Sequence, residues 1–329
     1  MNHLIKLQLF MCALFLFSLS YSDNGYTLDM ASHKGQPIGA GRAVLVTGAS
    51  SGIGKQITMT LADQGFFVYA GARKDHDIEV LSELDNVQGI RLDVTRQSDI
   101  DAALTLIEQG GRGLYGLVNN AGVFLFDPLI EVSEQDMRFI MDVNVMGPYR
   151  VTKAFAPMII ERQGRITTIG SVAGLFSGRL FGPYGMSKFA VEAYSEALAS
   201  ELHKFNVAVS VVEPGNFRSN IMKNMAKRLE QIDQGAHPTR FRDEIERFAG
   251  FTQSDRSHHA APIPVAEAVV DFMTTERPQF RYLVTPNQAE ADMTIRQLAK
   301  RLVEINQGQR FPMASDVLLK TVEQFLGAE

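Results

Sequence analysis

From residue 42 onward, short apolar runs alternate with stretches whose apolar positions recur at helical spacing. Ala43-Val44-Leu45-Val46 is apolar without a break, the pattern of a strand buried on both faces. Gly52 to Gln64 places Ile53, Ile57 and Leu61 on one face, which predicts a helix. Ser50 or Ser51 is placed to cap its start and Gly65 to end it. Further strands are predicted at Phe66–Gly71, Val87–Leu92, Leu114–Asn119, Arg165–Ile169, Val207–Glu213 and Tyr282–Val284. Helical patterns lie between most of them, including Ser133–Glu161 and Tyr184–Phe205. Repeated βα units of this kind predict an α/β fold, a doubly wound parallel sheet of about seven strands with helices on both faces.

Two regions fall outside that rhythm. At the N-terminus, Lys6 precedes an apolar run from Leu7 to Leu19, followed by Ser20, Tyr21 and Ser22. The run is shorter than the ~20 residues that cross a bilayer and matches the core of a secretory signal. Two other readings stand beside a cleaved signal: translation beginning at Met30, or an uncleaved anchor attaching the protein to a membrane through residues 7–19. Residues 1–40 are therefore set apart as leader and linker, and 41–329 are expected to form one domain. Within it, 216–261 is mixed in charge and turn-rich, and is expected to be a substrate lid over the carboxyl edge of the sheet. Its Phe217, Ile221, Met222, Met225, Phe241, Phe248 and Phe251 suit amphipathic helices above an apolar pocket, with ordinary core packing as the alternative. Residues 262–329 form a C-terminal extension.

Composition narrows the function. With 45% apolar and 21% charged residues, the chain has the makeup of a globular protein. A formal net charge of −5 leaves no basic surface for phosphate backbones, so no nucleic-acid partner is expected. Cys12 is the only cysteine and the seven histidines are scattered, so neither a disulfide within the chain nor a metal site is expected.

Four motifs carry candidate chemistry. Thr47-Gly48-Ala49-Ser50-Ser51-Gly52-Ile53-Gly54 joins the first strand to the first helix. Glycines there let the backbone approach a pyrophosphate, and the helix N-terminus turns free N–H groups toward its charge. Asn119-Asn120-Ala121-Gly122 ends the fourth strand, and Pro214-Gly215 follows the sixth. Ser171 is followed thirteen positions later by Tyr184, and Lys188 lies four further on, one helical turn from the tyrosine. A phenol with a pKa near 10 is a poor base at neutral pH, and an ammonium beside it lowers that value. Taken singly, each motif also has a bland reading as a turn or a surface pair.

Together, in this order and spacing from about Arg42 to Gly215, these residues resemble the short-chain dehydrogenase/reductase family in its compact, Rossmann-type form. Gly170-Ser171-Val172-Ala173-Gly174, Gly178-Arg179, Phe181-Gly182-Pro183-Tyr184, Val191-Glu192-Ala193 and Glu213-Pro214-Gly215 are similar to the retinol and 17β-hydroxysteroid dehydrogenase branch. The resemblance implies catalytic roles for Asn144, Ser171, Tyr184 and Lys188, with Ser171 and Tyr184 touching the substrate oxygen. It implies a cofactor site at Gly48, Ser50, Ser51, Gly52, Ile53, Gly54, Arg73, Asp93, Val94, Asn120, Ala121, Gly122, Tyr184, Lys188, Pro214 and Gly215. It also implies a homodimer or homotetramer and an apolar alcohol or ketone as substrate.

NADP(H) is the expected cofactor, with NAD(H) disfavoured. NAD-specific folds of this type carry an acid after strand two, where this chain reads Gly71-Ala72-Arg73-Lys74. Pro148 cannot donate to the Asn144 carbonyl, so a kink is expected in the helix there. A cytoplasmic enzyme, soluble or attached to the inner face of a membrane, is expected because NADP(H) is a cytosolic metabolite. The competing functions are a non-catalytic NADP-binding redox sensor and a sugar-nucleotide epimerase or dehydratase. Intact Tyr184 and Lys188 weigh against the first, and the short tail after Gly215 weighs against the second.

Overall fold

The computed structural model describes residues 38–218, 239–253 and 259–326. Seven parallel strands run in the order β3-β2-β1-β4-β5-β6-β7: β1 Ala43–Val46, β2 Phe67–Ala72, β3 Val87–Arg91, β4 Gly116–Asn119, β5 Arg165–Ile169, β6 Ala208–Pro214 and β7 Arg281–Val284. Register is fixed by pairs such as Leu45 with Tyr69 and Leu117 with Ile166. The helices are α1 Gly52–Asp63, α2 Asp75–Ser82, α3 Gln97–Gln109, α4 Glu134–Met141, α5 Gly147–Glu161, α6 Gly182–Leu202, α7 Arg242–Gln253, α8 Ile263–Thr274, α9 Gln288–Gln307 and α10 Ser315–Leu326.

The uninterrupted apolar strands pack on both sides, as side chains alternate across a sheet. Val44 and Val46 join Ile57 and Leu61 of α1 and Val265, Val269 and Phe272 of α8. Ala43 and Leu45 join Ile100 and Ile107 of α3 and Val151, Phe155 and Ile159 of α5. The C-terminal stretch supplies both β7 and α8, so part of the expected extension belongs to the sheet and its core.

Helix ends explain several boundaries. Gly65 adopts φ +85°, its N–H donating to Ala62 and that of Phe66 to Leu61, a pair of bonds that closes α1. The expected serine cap is absent: Ser51 occupies the position before α1, but its side chain makes no capping bond. The single helix expected over Ser133–Glu161 is broken into α4, a π-helical turn at Asp142–Met146, and α5. Pro148 stands at the start of α5 and has no N–H to donate, and the Gly147 N–H reaches back to the Asp142 carbonyl instead. The interruption demanded by the proline is thus a widened turn centred on Asn144. Tyr184–Phe205 is one helix through Leu202, finished by a 3-10 turn at His203–Phe205.

Of the expected lid, residues 219–238 and 254–258 lie outside the described residues, with Ile221, Met222 and Met225, as does the side chain of Phe251. The apolar run at 7–19 lies outside them too, and among the described residues no helix is long and apolar enough to cross a membrane.

Candidate active site

Strand order reverses between β1 and β4, and the loops leaving their carboxyl ends meet in the crevice where doubly wound sheets bind ligands. Gly48 and Gly52 have φ +66° and +56°, a backbone conformation that side chains disfavour. A Cβ on Gly54 would lie 2.3 Å from both the Gly48 carbonyl and Asn120 Nδ2. Asn120 Nδ2 donates to the carbonyls of Thr47 at 2.9 Å and Gly48 at 3.1 Å. The Thr47 hydroxyl accepts from the N–H groups of Asn120 and Ala121, both at 3.0 Å. The Asn120 side chain therefore braces the glycine loop from the β4 side. With Ser51 not capping, the first-turn N–H groups of α1, which have no partner inside a helix, face this crevice. A tight cradle of backbone donors fits the pyrophosphate of a nicotinamide dinucleotide.

The other expected cofactor residues surround the same edge. Arg73 is exposed after β2, and its charge helps hold the Asp93 carboxyl below its usual range, although burial opposes this. The larger lowering comes from Thr95, whose N–H and hydroxyl donate to Asp93 at 3.0 and 2.7 Å. Val94 is buried, and a Cβ on Gly147 would meet its side chain at 2.7 Å. Pro214 ends β6, and the Gly215 N–H donates to Val284 at 2.8 Å. Glu290 of α9, not anticipated from the sequence, accepts from the Asn216 N–H at 2.8 Å.

Ser171, Tyr184 and Lys188 come together at the carboxyl end of β5. Ser171 follows β5, its hydroxyl accepts from the Ala173 N–H at 3.1 Å, and its side chain acts on the Tyr184 phenol. Burial pushes that phenol up to about 12, with Ser171 pulling the other way. Lys188 Nζ donates to the Ile169 carbonyl at 2.7 Å and lies 5.7 Å from the centre of the Tyr184 ring. Burial lowers the ammonium to about 8, and Glu192 opposes the drop. The expected depression of the phenol by Lys188 is not found in this arrangement: burial sets the direction, and the ammonium donates to the Ile169 carbonyl. Asn144 does not join the cluster directly. Its Oδ1 accepts from the Val123 N–H at 2.8 Å, and its Nδ2 donates to the Val123 carbonyl and the Ser187 hydroxyl, both at 2.9 Å.

An aromatic wall stands over the tyrosine. Phe124 lies 4.8 Å from Tyr184 between ring centres, and Phe126 stacks on Phe248 of α7 at 3.5 Å and 12°. Phe181 meets Phe124, Phe126 and Phe248 edge-on. The approach to α7 is held by Glu131, which accepts from Thr239 Oγ1 at 2.6 Å, and by an ion pair between Arg179 and Glu244 at 2.6 Å. Of the four, Phe248 is expected from the sequence above an apolar pocket; for Phe124 and Phe126, which alternate after the Asn-Ala-Gly turn, and Phe181, just before Gly182-Pro183-Tyr184, spacing is the only sequence signal.

A family model described as short chain dehydrogenase matches residues 42–230. The chain is 34% identical to the mitochondrial D-beta-hydroxybutyrate dehydrogenase of Bos taurus, over 75% of this chain and 77% of that one. It is 36% identical to 17-beta-hydroxysteroid dehydrogenase type 6 of Homo sapiens, over 58% and 61% of the two chains. Among solved structures, a short chain dehydrogenase/reductase from Burkholderia phymatum in complex with NAD superposes with a TM-score of 0.69 at 25% identity, covering 84% of this chain and 98% of that one.

Proposed function

Because the chain belongs to the short-chain dehydrogenase family, whose members act on CH–OH groups, we propose that it interconverts a carbonyl and an alcohol on an apolar small molecule, using NADP(H). The observation that carries this reading is the convergence of Ser171, Tyr184 and Lys188 at the carboxyl end of β5, under the wall of phenylalanines. A bound nicotinamide dinucleotide supplies the hydride for reduction and accepts it in oxidation. Gly48 to Gly54 and the start of α1 hold its pyrophosphate. Tyr184 gives its phenolic proton to the carbonyl oxygen in reduction, for which a phenol that is protonated at neutral pH is the right form. Ser171 hydrogen-bonds the same oxygen and fixes its place. Lys188 supplies positive charge that favours the phenolate left behind. Asn144 acts by holding Val123 and Ser187, and through them the position of α6.

The preference for NADP(H) rests on Arg73, exposed where an NAD-specific site carries an acid, and on Asp93, whose carboxyl is engaged by Thr95. NAD is present in the Burkholderia phymatum structure, which makes coenzyme choice a direct test. Relatives named for hydroxybutyrate and for hydroxysteroids bracket the substrate by size, and four clustered phenylalanines favour the apolar end of that range. Phe139 and Tyr149, half exposed on α4 and α5, support self-association through those helices. The site of action is the cytosolic side, where NADP(H) is available, with attachment through residues 7–19 or a start at Met30.

The deciding experiment is a screen of ketones and alcohols with purified protein, following NADPH absorbance, with Tyr184→Phe alongside. Turnover by the native protein and its loss by at least about a hundredfold in the variant are expected. Equal turnover in both would overturn the assignment.

A further inference from the structure

Behind the catalytic helix lies a buried ion cluster that the proposed chemistry does not use. Arg281, the first residue of β7, ion-pairs through one guanidinium nitrogen with both Glu192 of α6 and Glu213 of β6, the latter at 2.7 Å. Its other terminal nitrogen reaches Glu196 at 2.5 Å. The glutamates differ in setting: the side chains of Glu192 and Glu213 are 9% and 2% exposed, whereas Glu196 is 60% exposed and screened by water. Two interior carboxylates thus share one guanidinium, leaving excess negative charge in a region where unpaired charge is costly.

Glu192 is one helical turn beyond Lys188, so it lies on the lysine's side of α6. Its carboxylate has a shaped seat. A Cβ on either Gly170 or Gly174 would lie 3.1 Å from Glu192 Oε1, closer than such contacts ordinarily come. Both glycines flank Ser171, so one loop presents the serine to the crevice and makes room for the glutamate behind it.

We propose that Glu192 is a positioning residue for Lys188: the cluster of Glu192, Glu213 and Arg281 holds a carboxylate one turn from the ammonium and keeps the lysine charged. The other groups facing Lys188 are the Tyr184 ring and the Ile169 carbonyl of β5. Asp142, on the π-helical turn packed against α6, is bonded to Arg150 at 2.5 Å. The electrostatics agree with the geometry. Burial lowers the Lys188 ammonium and Glu192 resists it, while burial and then Glu192 push the Glu213 carboxyl up to about 7 against the pull of Arg281. Within the cluster, Glu213 is the carboxyl pushed toward protonation, by burial first and then by Glu192. The catalytic meaning of this arrangement rests on the roles assigned above, but the charge on Lys188 can be measured without turnover.

The test labels the full-length protein with lysine carrying 13C at Cε and follows the Lys188 signal, assigned by its loss in Lys188→Arg, against pH without cofactor. Glu192→Gln keeps the shape of the side chain and removes its charge, and should lower the Lys188 titration by about one pH unit. Glu196→Gln, at the exposed arm of the same cluster, should leave it in place. If Glu192→Gln fails to fold by circular dichroism, Glu213→Gln takes its place. That variant should shift Lys188 in the same direction by less, since it removes a negative charge and frees Arg281 to neutralise Glu192. An unmoved Lys188 titration in whichever of the two folds overturns the proposal. Retained turnover in Tyr184→Phe would overturn the functional reading alone.

Discussion

Lys188 Nζ donates to the Ile169 carbonyl at 2.7 Å, which fixes the ammonium at the end of β5, below the tyrosine ring rather than on its oxygen. In the proposed reaction the lysine favours the phenolate by its charge rather than by a bond to its oxygen. Because burial disfavours that charge, Lys188→Met should lose turnover by about a hundredfold or more while its melting temperature does not fall. Activity assays paired with thermal melts check this, and a large loss of stability would point to a structural lysine.

Asn144 should show the opposite balance. Alanine there leaves the half-buried Val123 N–H and carbonyl without their partner, while the Ser187 hydroxyl keeps its bond to the Tyr184 carbonyl. Each such group costs about 1–3 kcal/mol when unpaired, and partial relaxation makes about 2–4 kcal/mol the expected loss for Asn144→Ala, read from urea unfolding.

Arg73→Ala should lower kcat/KM with NADPH by about tenfold to a hundredfold and leave NADH nearly unchanged, the worth of one charged hydrogen bond to a 2′-phosphate. Native protein more efficient with NADH than with NADPH would contradict the assignment.

Phe248 reaches the site from α7, stacked on Phe126. Phe248→Ala should raise KM for an apolar alcohol roughly tenfold, as expected for losing a large buried apolar face, with little change in KM for the coenzyme. An equal rise in both constants would place Phe248 in the scaffold.

Glu213 gives stability its own pH dependence. Its folded pKa of about 7 lies above the ordinary 4.5, so the protonated carboxyl contributes stability that is complete below 4.5 and lost as pH rises through 7. Unfolding free energy should therefore gain a falling component between about pH 4.5 and 7 that is absent in Glu213→Gln. Denaturant titrations across that range, comparing the two proteins, check the difference.

The strands and the candidate trio of Ser171, Tyr184 and Lys188 were legible along the chain because their signals are local. A strand covered on both faces must be apolar throughout, as Ala43–Val46 is, and a tyrosine and lysine four apart on a helix must share a face. The glycine loop was legible for the same reason, since positive φ at Gly48 and Gly52 is a demand of the residue itself. The π-helical turn at Asn144 was legible in part: Pro148 announces that a hydrogen bond is missing, but not which wider bond replaces it. What remained hidden depends on partners distant in sequence. Arg281 binds Glu192 and Glu213 from 89 and 68 residues away, and Phe248 stacks on Phe126 across a longer span still. The direction of the Tyr184 shift was hidden too, because an adjacent ammonium predicts a lower value and only the depth of burial, set by packing, raises it. Local chemistry is written in neighbouring residues. Solvent exclusion and charge balance exist only once the sheet has assembled.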